Sequence, residues 1–173
     1  ECPDVVLVGN LEGSNTQQDD ISRLLELAQR GKKVLFLDPR SFKAGDNHEA
    51  YLPLEEKGNC YPFYNWLYHT DCIARKHPVF KGLGSGVLDA EMFSDVYPTW
   101  VFENVQPPDQ TLCAVFGMGL VRKGGSLTGV TLGEYKLGEG KFIINTFNII
   151  ENLGKSCVAD TFLLNMIAHW SKG

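Results

Sequence analysis

Five cysteines, four histidines and 21 carboxylate side chains make acyl transfer by a thiol the first chemistry to weigh. Such a site needs a thiolate on a sharp strand-to-helix turn, an imidazole within hydrogen-bond reach and a carboxylate that orients it. Cys60, in Gly58-Asn59-Cys60-Tyr61-Pro62, is the one cysteine in a glycine-led turn, but Leu54-Glu55-Glu56-Lys57 before it is no buried strand to fix its geometry. His48 falls in a polar loop, His69 follows an aromatic patch, His77 precedes Pro78, and His169 lies near the end of the last helical pattern. None follows the apolar run Lys141–Phe147, where Asn148 stands. An amide takes no proton from a thiol at neutral pH, so position 148 is suited to binding rather than general-base work. Its side chain is expected to be hydrogen-bonded within the fold, since a buried amide without partners is costly.

Other constellations point to binding. Asn10 and Glu12 lie between Gly9 and Gly13, where backbone N–H groups after a first strand could meet a carboxylate or phosphate; Glu12 works against an anion, and the glycine pattern of nucleotide sites is absent. Asp38 and Arg40 fall at the carboxyl end of a second strand, the edge where open α/β sheets place ligands. Asp89, Glu91 and Asp95 are the nearest thing to a glycosidase carboxylate pair, but they sit in a loop-like segment and read as a solvated turn. Tyr64, Trp66 and Trp100 offer flat faces for a sugar or a protein surface. No Cys-x-x-Cys pair occurs and no histidine stands at ligand spacing from a cysteine, so neither a metal nor a cofactor is expected.

These residues need elements to hold them. Asp4-Val5-Val6-Leu7-Val8-Gly9 reads as a buried parallel strand, and Ile21, Leu24, Leu25, Leu27 and Ala28 recur at helical spacing. Lys33–Asp38 is a second strand, stopped by Pro39, which makes the first forty residues one βαβ unit. From Arg40 to Pro98 the periodicity fades and a loop-rich stretch is expected. Trp100–Val105, Thr111–Gly117, Leu127–Tyr135 and Lys141–Phe147 read as further strands, the last two joined by a hairpin at Gly138-Glu139-Gly140. Val158, Phe162, Leu163, Met166, Ile167 and Trp170 mark a final helix with Ser156 as N-cap. The expected fold is one α/β domain over residues 1–173, flavodoxin-like, with a mostly parallel sheet, helices on both faces and a C-terminal β-hairpin.

Composition narrows the partners. A net charge of -5 without a basic cluster argues against nucleic acid, and no apolar stretch reaches the roughly 18 residues of a membrane span. The chain opens on Glu1 without a signal-like segment, which suggests excision from a longer multidomain protein. Scattered cysteines leave the compartment open, a periplasmic or secreted parent included.

Two stretches carry a resemblance. Tyr68-His69-Thr70-Asp71-Cys72-Ile73-Ala74-Arg75-Lys76-His77-Pro78-Val79-Phe80-Lys81-Gly82-Leu83 contains a His-Pro-x-Phe run, and Val158-Ala159-Asp160-x-Phe162-Leu163-Leu164-Asn165 follows the Gly-Glu-Gly-Lys hairpin and its strand. Together they resemble class I glutamine-amidotransferase-like domains, more closely those appended to family-two-type, beta-galactosidase-like glycoside hydrolases. Active members end the last strand in a Phe-His-Pro-Glu-like run. Here the matching residues are Phe147-Asn148-Ile149-Ile150 with Glu151 one place late, and the cysteine elbow is missing. The resemblance therefore implies a non-catalytic accessory domain of a glycoside hydrolase, with sister domains, a homo-oligomer interface or a carbohydrate as partners. The alternatives are an autonomous cysteine-dependent hydrolase on Cys60 and a carbohydrate-binding module.

Overall fold

The computed structural model describes residues 4–62, 70–118 and 125–171, and the statements below concern those residues. Val5–Val8 (β1), Gln17–Gln29 (α1) and Lys33–Phe36 (β2) open the chain as the expected βαβ unit, with β1 parallel to β2 and Val5 opposite Lys33. Ile21 and Ala28 are the buried members of the α1 stripe, while Leu24, Leu25 and Leu27 pack partly against the same cluster.

Beyond that unit the parallel expectation fails. Asn59–Pro62 (β3), Thr70–Ala74 (β4), Gly86–Val87 (β5), Trp100–Glu103 (β6), Gln110–Met118 (β7), Ser126–Leu137 (β8) and Gly140–Asn145 (β9) join β1 and β2 in one nine-stranded sheet. Its path runs β1-β2-β9-β8-β7-β4-β5, with β6 branching onto β8 and β3 onto β6. Only the β1–β2 and β2–β9 pairings are parallel; all the others are antiparallel. With Ile149–Asn152 (α2) and Cys157–Trp170 (α3), only three α-helices accompany the nine strands among the described residues, so this is a mixed, mostly antiparallel sheet and not a flavodoxin-like one. The physical reason is that a short apolar run buried on both faces looks the same in a parallel strand and in a central antiparallel strand. Connections decide between them: the Gly138-Glu139 turn fixes β8 and β9 as an antiparallel hairpin, with Leu137 opposite Gly140.

The same turn docks on α1. Glu139 N donates to Gln29 O at 3.1 Å and Lys141 N to Lys32 O at 3.1 Å. Gly138 adopts φ +61°, and a Cβ at Gly140 would overlap the main-chain oxygens of Lys32 and Ala28, so glycine is required for the helix end to approach this closely.

Two buried clusters divide the core by strand alternation. Val34, Phe36, Phe142 and Ile144 join Ile21 and Ala28 of α1, whereas Leu35, Leu37 and Ile143 join Phe162, Met166 and Trp170 of α3. In β7 the alternation breaks: Leu112 and Cys113 are both fully buried in the α3-side cluster, because the β7–β8 register shifts on either side of Cys113. The stretch expected to be loop-rich is so over most of its described residues, broken by three short strands. Cys60 lies inside β3, opposite Phe102 of β6, and not in a turn. Ser156 stands at the N-cap of α3, although its side chain makes no capping hydrogen bond.

Candidate functional site

A cleft of about 210 Å³ opens where β2 and β9 end, lined by the 37–40 turn, Thr99 and Trp100 ahead of and in β6, and residues 146–151. Of the residues singled out from the sequence, Asp38, Arg40, Trp100 and Asn148 come together here. Asn10 and Glu12 do not line it: the Asn10 Oδ1 accepts from Glu12 N at 2.8 Å in a tight turn, and Glu12 pairs with Lys43 at 2.7 Å. Tyr64 and Trp66 lie outside the described residues.

The wall on the β2 side is built by a short-range clamp. Asp38 caps the 3-10 turn Pro39–Phe42, its Oδ1 accepting from Arg40 N at 2.9 Å. The Arg40 guanidinium then folds back on it, with Nε donating at 3.0 and 3.1 Å to the two carboxylate oxygens and Nη2 donating at 2.6 Å to Oδ2. Nη2 also reaches Glu151 Oε1 at 2.9 Å, across 111 residues of chain. The hydrogen bond to Asp38, with the nearby charges of Asp38 and Glu151, holds the already high guanidinium pKa higher still. Two carboxylates thus flank one permanent cation.

The floor depends on Asn145, which the sequence reading did not single out. Its side chain is 1% exposed; Nδ2 donates to Leu37 O at 3.0 Å and to Phe147 O at 2.9 Å, and Oδ1 accepts from Phe147 N at 3.2 Å. One buried amide therefore ties the end of β2 to the turn leaving β9. Thr146 adds main-chain and hydroxyl donation to Thr131 O, at 2.9 and 3.3 Å. Asn148 is half-buried. Its main chain is held by Val96 O at 3.0 Å and by Asn152 Nδ2 at 2.9 Å, and its side chain does not cap α2. The internal hydrogen bonding expected of Asn148 thus belongs to Asn145, three residues earlier. An Asn interrupting the apolar run that begins at Phe142 was the signal for it.

The remaining chemistry-bearing residues take up structural places. Cys60 is 3% exposed, and burial together with the charge of Glu49 pushes its thiol well above the ordinary cysteine range, so it keeps its proton. Cys72 and Cys113 are fully buried, and Cys157 is exposed on α3. Asp89 caps its own turn, accepting from Glu91 N at 2.9 Å and Met92 N at 3.0 Å, which matches the solvated-turn reading of that acidic segment. Among the described residues no group of three or more His, Cys, Asp and Glu side chains is placed to hold a metal ion, and no helix is long and apolar enough to cross a membrane.

The two stretches that carry the resemblance meet in space. Asn165 Nδ2 donates to Val79 O at 3.2 Å and Lys81 O at 2.8 Å, Phe80 packs on Phe162 at 5.1 Å, and His77 stacks edge-on with His169 at 4.4 Å. Their described residues serve packing, away from the cleft. No family model and no curated protein sequence matches this chain.

Proposed function

We propose that the chain is a non-catalytic accessory domain of a carbohydrate-active enzyme, a glycoside hydrolase of the beta-galactosidase-like kind, and that its cleft is a binding site rather than a catalytic one. The observation that carries the reading is Asn148, an amide in the cleft at the position where the resembling domains keep an imidazole. The surroundings support it. Asp38 and Glu151 both hold Arg40, and Cys60, the thiol on which a cysteine hydrolase would depend, lies within β3 as a buried, protonated core residue.

In this reading the parent polypeptide contributes the glycosidase chemistry, and these residues contribute packing against sister domains or a second protomer, together with a ligand contact. The test is to express the parent with and without residues 1–173. A drop in stability, a change of oligomeric state or altered turnover on deletion is the expected result. Identical turnover, assembly and stability would reject an accessory role.

A further inference from the structure

We infer that the cleft at the ends of β2 and β9 binds a single neutral sugar ring, with Glu151 and Asn148 as hydroxyl partners and Trp100 as an aromatic contact at its side. This rests on the binding-site reading above and names its ligand class. Charge is the first argument. Arg40 is the cation of the cleft wall, and it is met by two carboxylates, at 2.6 and 2.9 Å. A carboxylate or phosphate ligand would face an excess of negative charge and would have to displace Asp38, whose side chain is only 9% exposed and is bonded to Arg40 through both oxygens. A neutral ligand rich in O–H donors meets no such barrier, because Glu151 gives the guanidinium one bond through Oε1 and keeps lone pairs on both oxygens for further donors.

Size is the second. At about 210 Å³ the cleft falls below the roughly 300–1,000 Å³ of pockets for drug-sized ligands, which suits one small ring rather than a nucleotide. Rigidity is the third. Asn145 and the Asp38–Arg40–Glu151 bridge fix the walls before any ligand arrives, so little ordering cost is left to binding. Trp100 is half-buried at the start of β6, with the His48 ring 4.9 Å from it. Packed also against the α1-side core cluster, it offers the ligand an aromatic contact in a fixed position.

The experiment is a chemical-shift titration of the ¹⁵N-labelled chain with D-galactose and D-glucose, with L-glutamine and inorganic phosphate run in parallel. Saturable shifts at Trp100, Thr146 and Asn148 with at least one sugar, at a Kd on the order of millimolar, are expected. Trp100→Ala should weaken binding at least tenfold. Glu151→Gln, at a side chain 57% exposed and therefore tolerant of change, should weaken it severalfold without disturbing the fold. Saturation by glutamine or phosphate but not by sugar would overturn the inference. So would shifts with no sugar, or sugar shifts that persist unchanged in Trp100→Ala. The parent-deletion experiment reads the accessory role separately, so a failed sugar titration beside a deletion effect would remove only the ligand assignment.

Discussion

Asn145 is the side chain on which the geometry of the cleft turns, because it satisfies three main-chain groups that face no water. Replacing it by Ala would leave the carbonyls of Leu37 and Phe147 and the amide of Phe147 without their present partner, and each buried group so orphaned costs about 1–3 kcal/mol. Asn145→Ala is therefore expected to lower stability by roughly 2–4 kcal/mol in urea unfolding, with shift changes at Asp38 and Asn148 in any folded remainder. A loss below about 0.5 kcal/mol would show that the amide is not the pin described. At this scale the sequence was half legible. Asp38 and Arg40 stand out because a strand end followed by Pro39 places them at a ligand edge. Trp100 stands out by type, and Asn148 by standing where a base would. Glu151 and Thr146 become visible only when the chain returns, 111 residues after Arg40 in the case of Glu151.

Among the elements, the 3-10 turn Pro78–Phe80 meets α3 beside a histidine that senses pH. His77 caps the turn, its Nδ1 accepting from Val79 N at 3.4 Å. Burial lowers the His77 pKa below its ordinary value of 6.5, the facing His169 lowers it further, and Arg75 and Lys141 add to this while Glu134 opposes them. Glu134 itself is 5% exposed and fastens α3 to the β8–β9 hairpin, accepting from Trp170 Nε1 at 2.6 Å and Lys141 Nζ at 2.7 Å. A histidine whose folded pKa is depressed binds fewer protons folded than unfolded in the window between the two values. Its contribution is complete above about pH 6.5 and declines as the pH falls through that window. The urea midpoint should accordingly drop from about pH 7 to pH 5, and His77→Asn, which retains a capping acceptor but no titration, should flatten that part of the slope. An unchanged slope in the variant would assign the effect to other groups. Element existence was well legible here: both strands of the opening unit, the strands of the second half, the hairpin and the last helix stand close to where periodicity and turn residues put them. The short strands β3, β4 and β5 were not, because they mix polar residues, glycine and proline with one to three apolar positions and lack the continuous apolar run that marks β1 and β2.

At the scale of the whole molecule, strand direction was the property least written in the chain. Apolar runs such as Leu112–Phe116 and Phe142–Ile144 specify burial, while direction is set by pairings that link distant segments, such as β2 with β9 and β4 with β7. The mostly antiparallel sheet that results still brings two parallel neighbours to one edge, so that the ends of β2 and β9 make a cleft lined by an amide, a guanidinium held by two carboxylates and a tryptophan. The function proposed for this cleft is to bind and not to hydrolyse. The most direct measurement is ammonia release from glutamine by the intact chain and by Asn148→His. No release above the spontaneous rate is expected from either, because restoring an imidazole supplies no thiolate on a strained turn. Glutamine hydrolysis by either protein, abolished by Cys60→Ser, would place a working nucleophile in this fold and contradict the account.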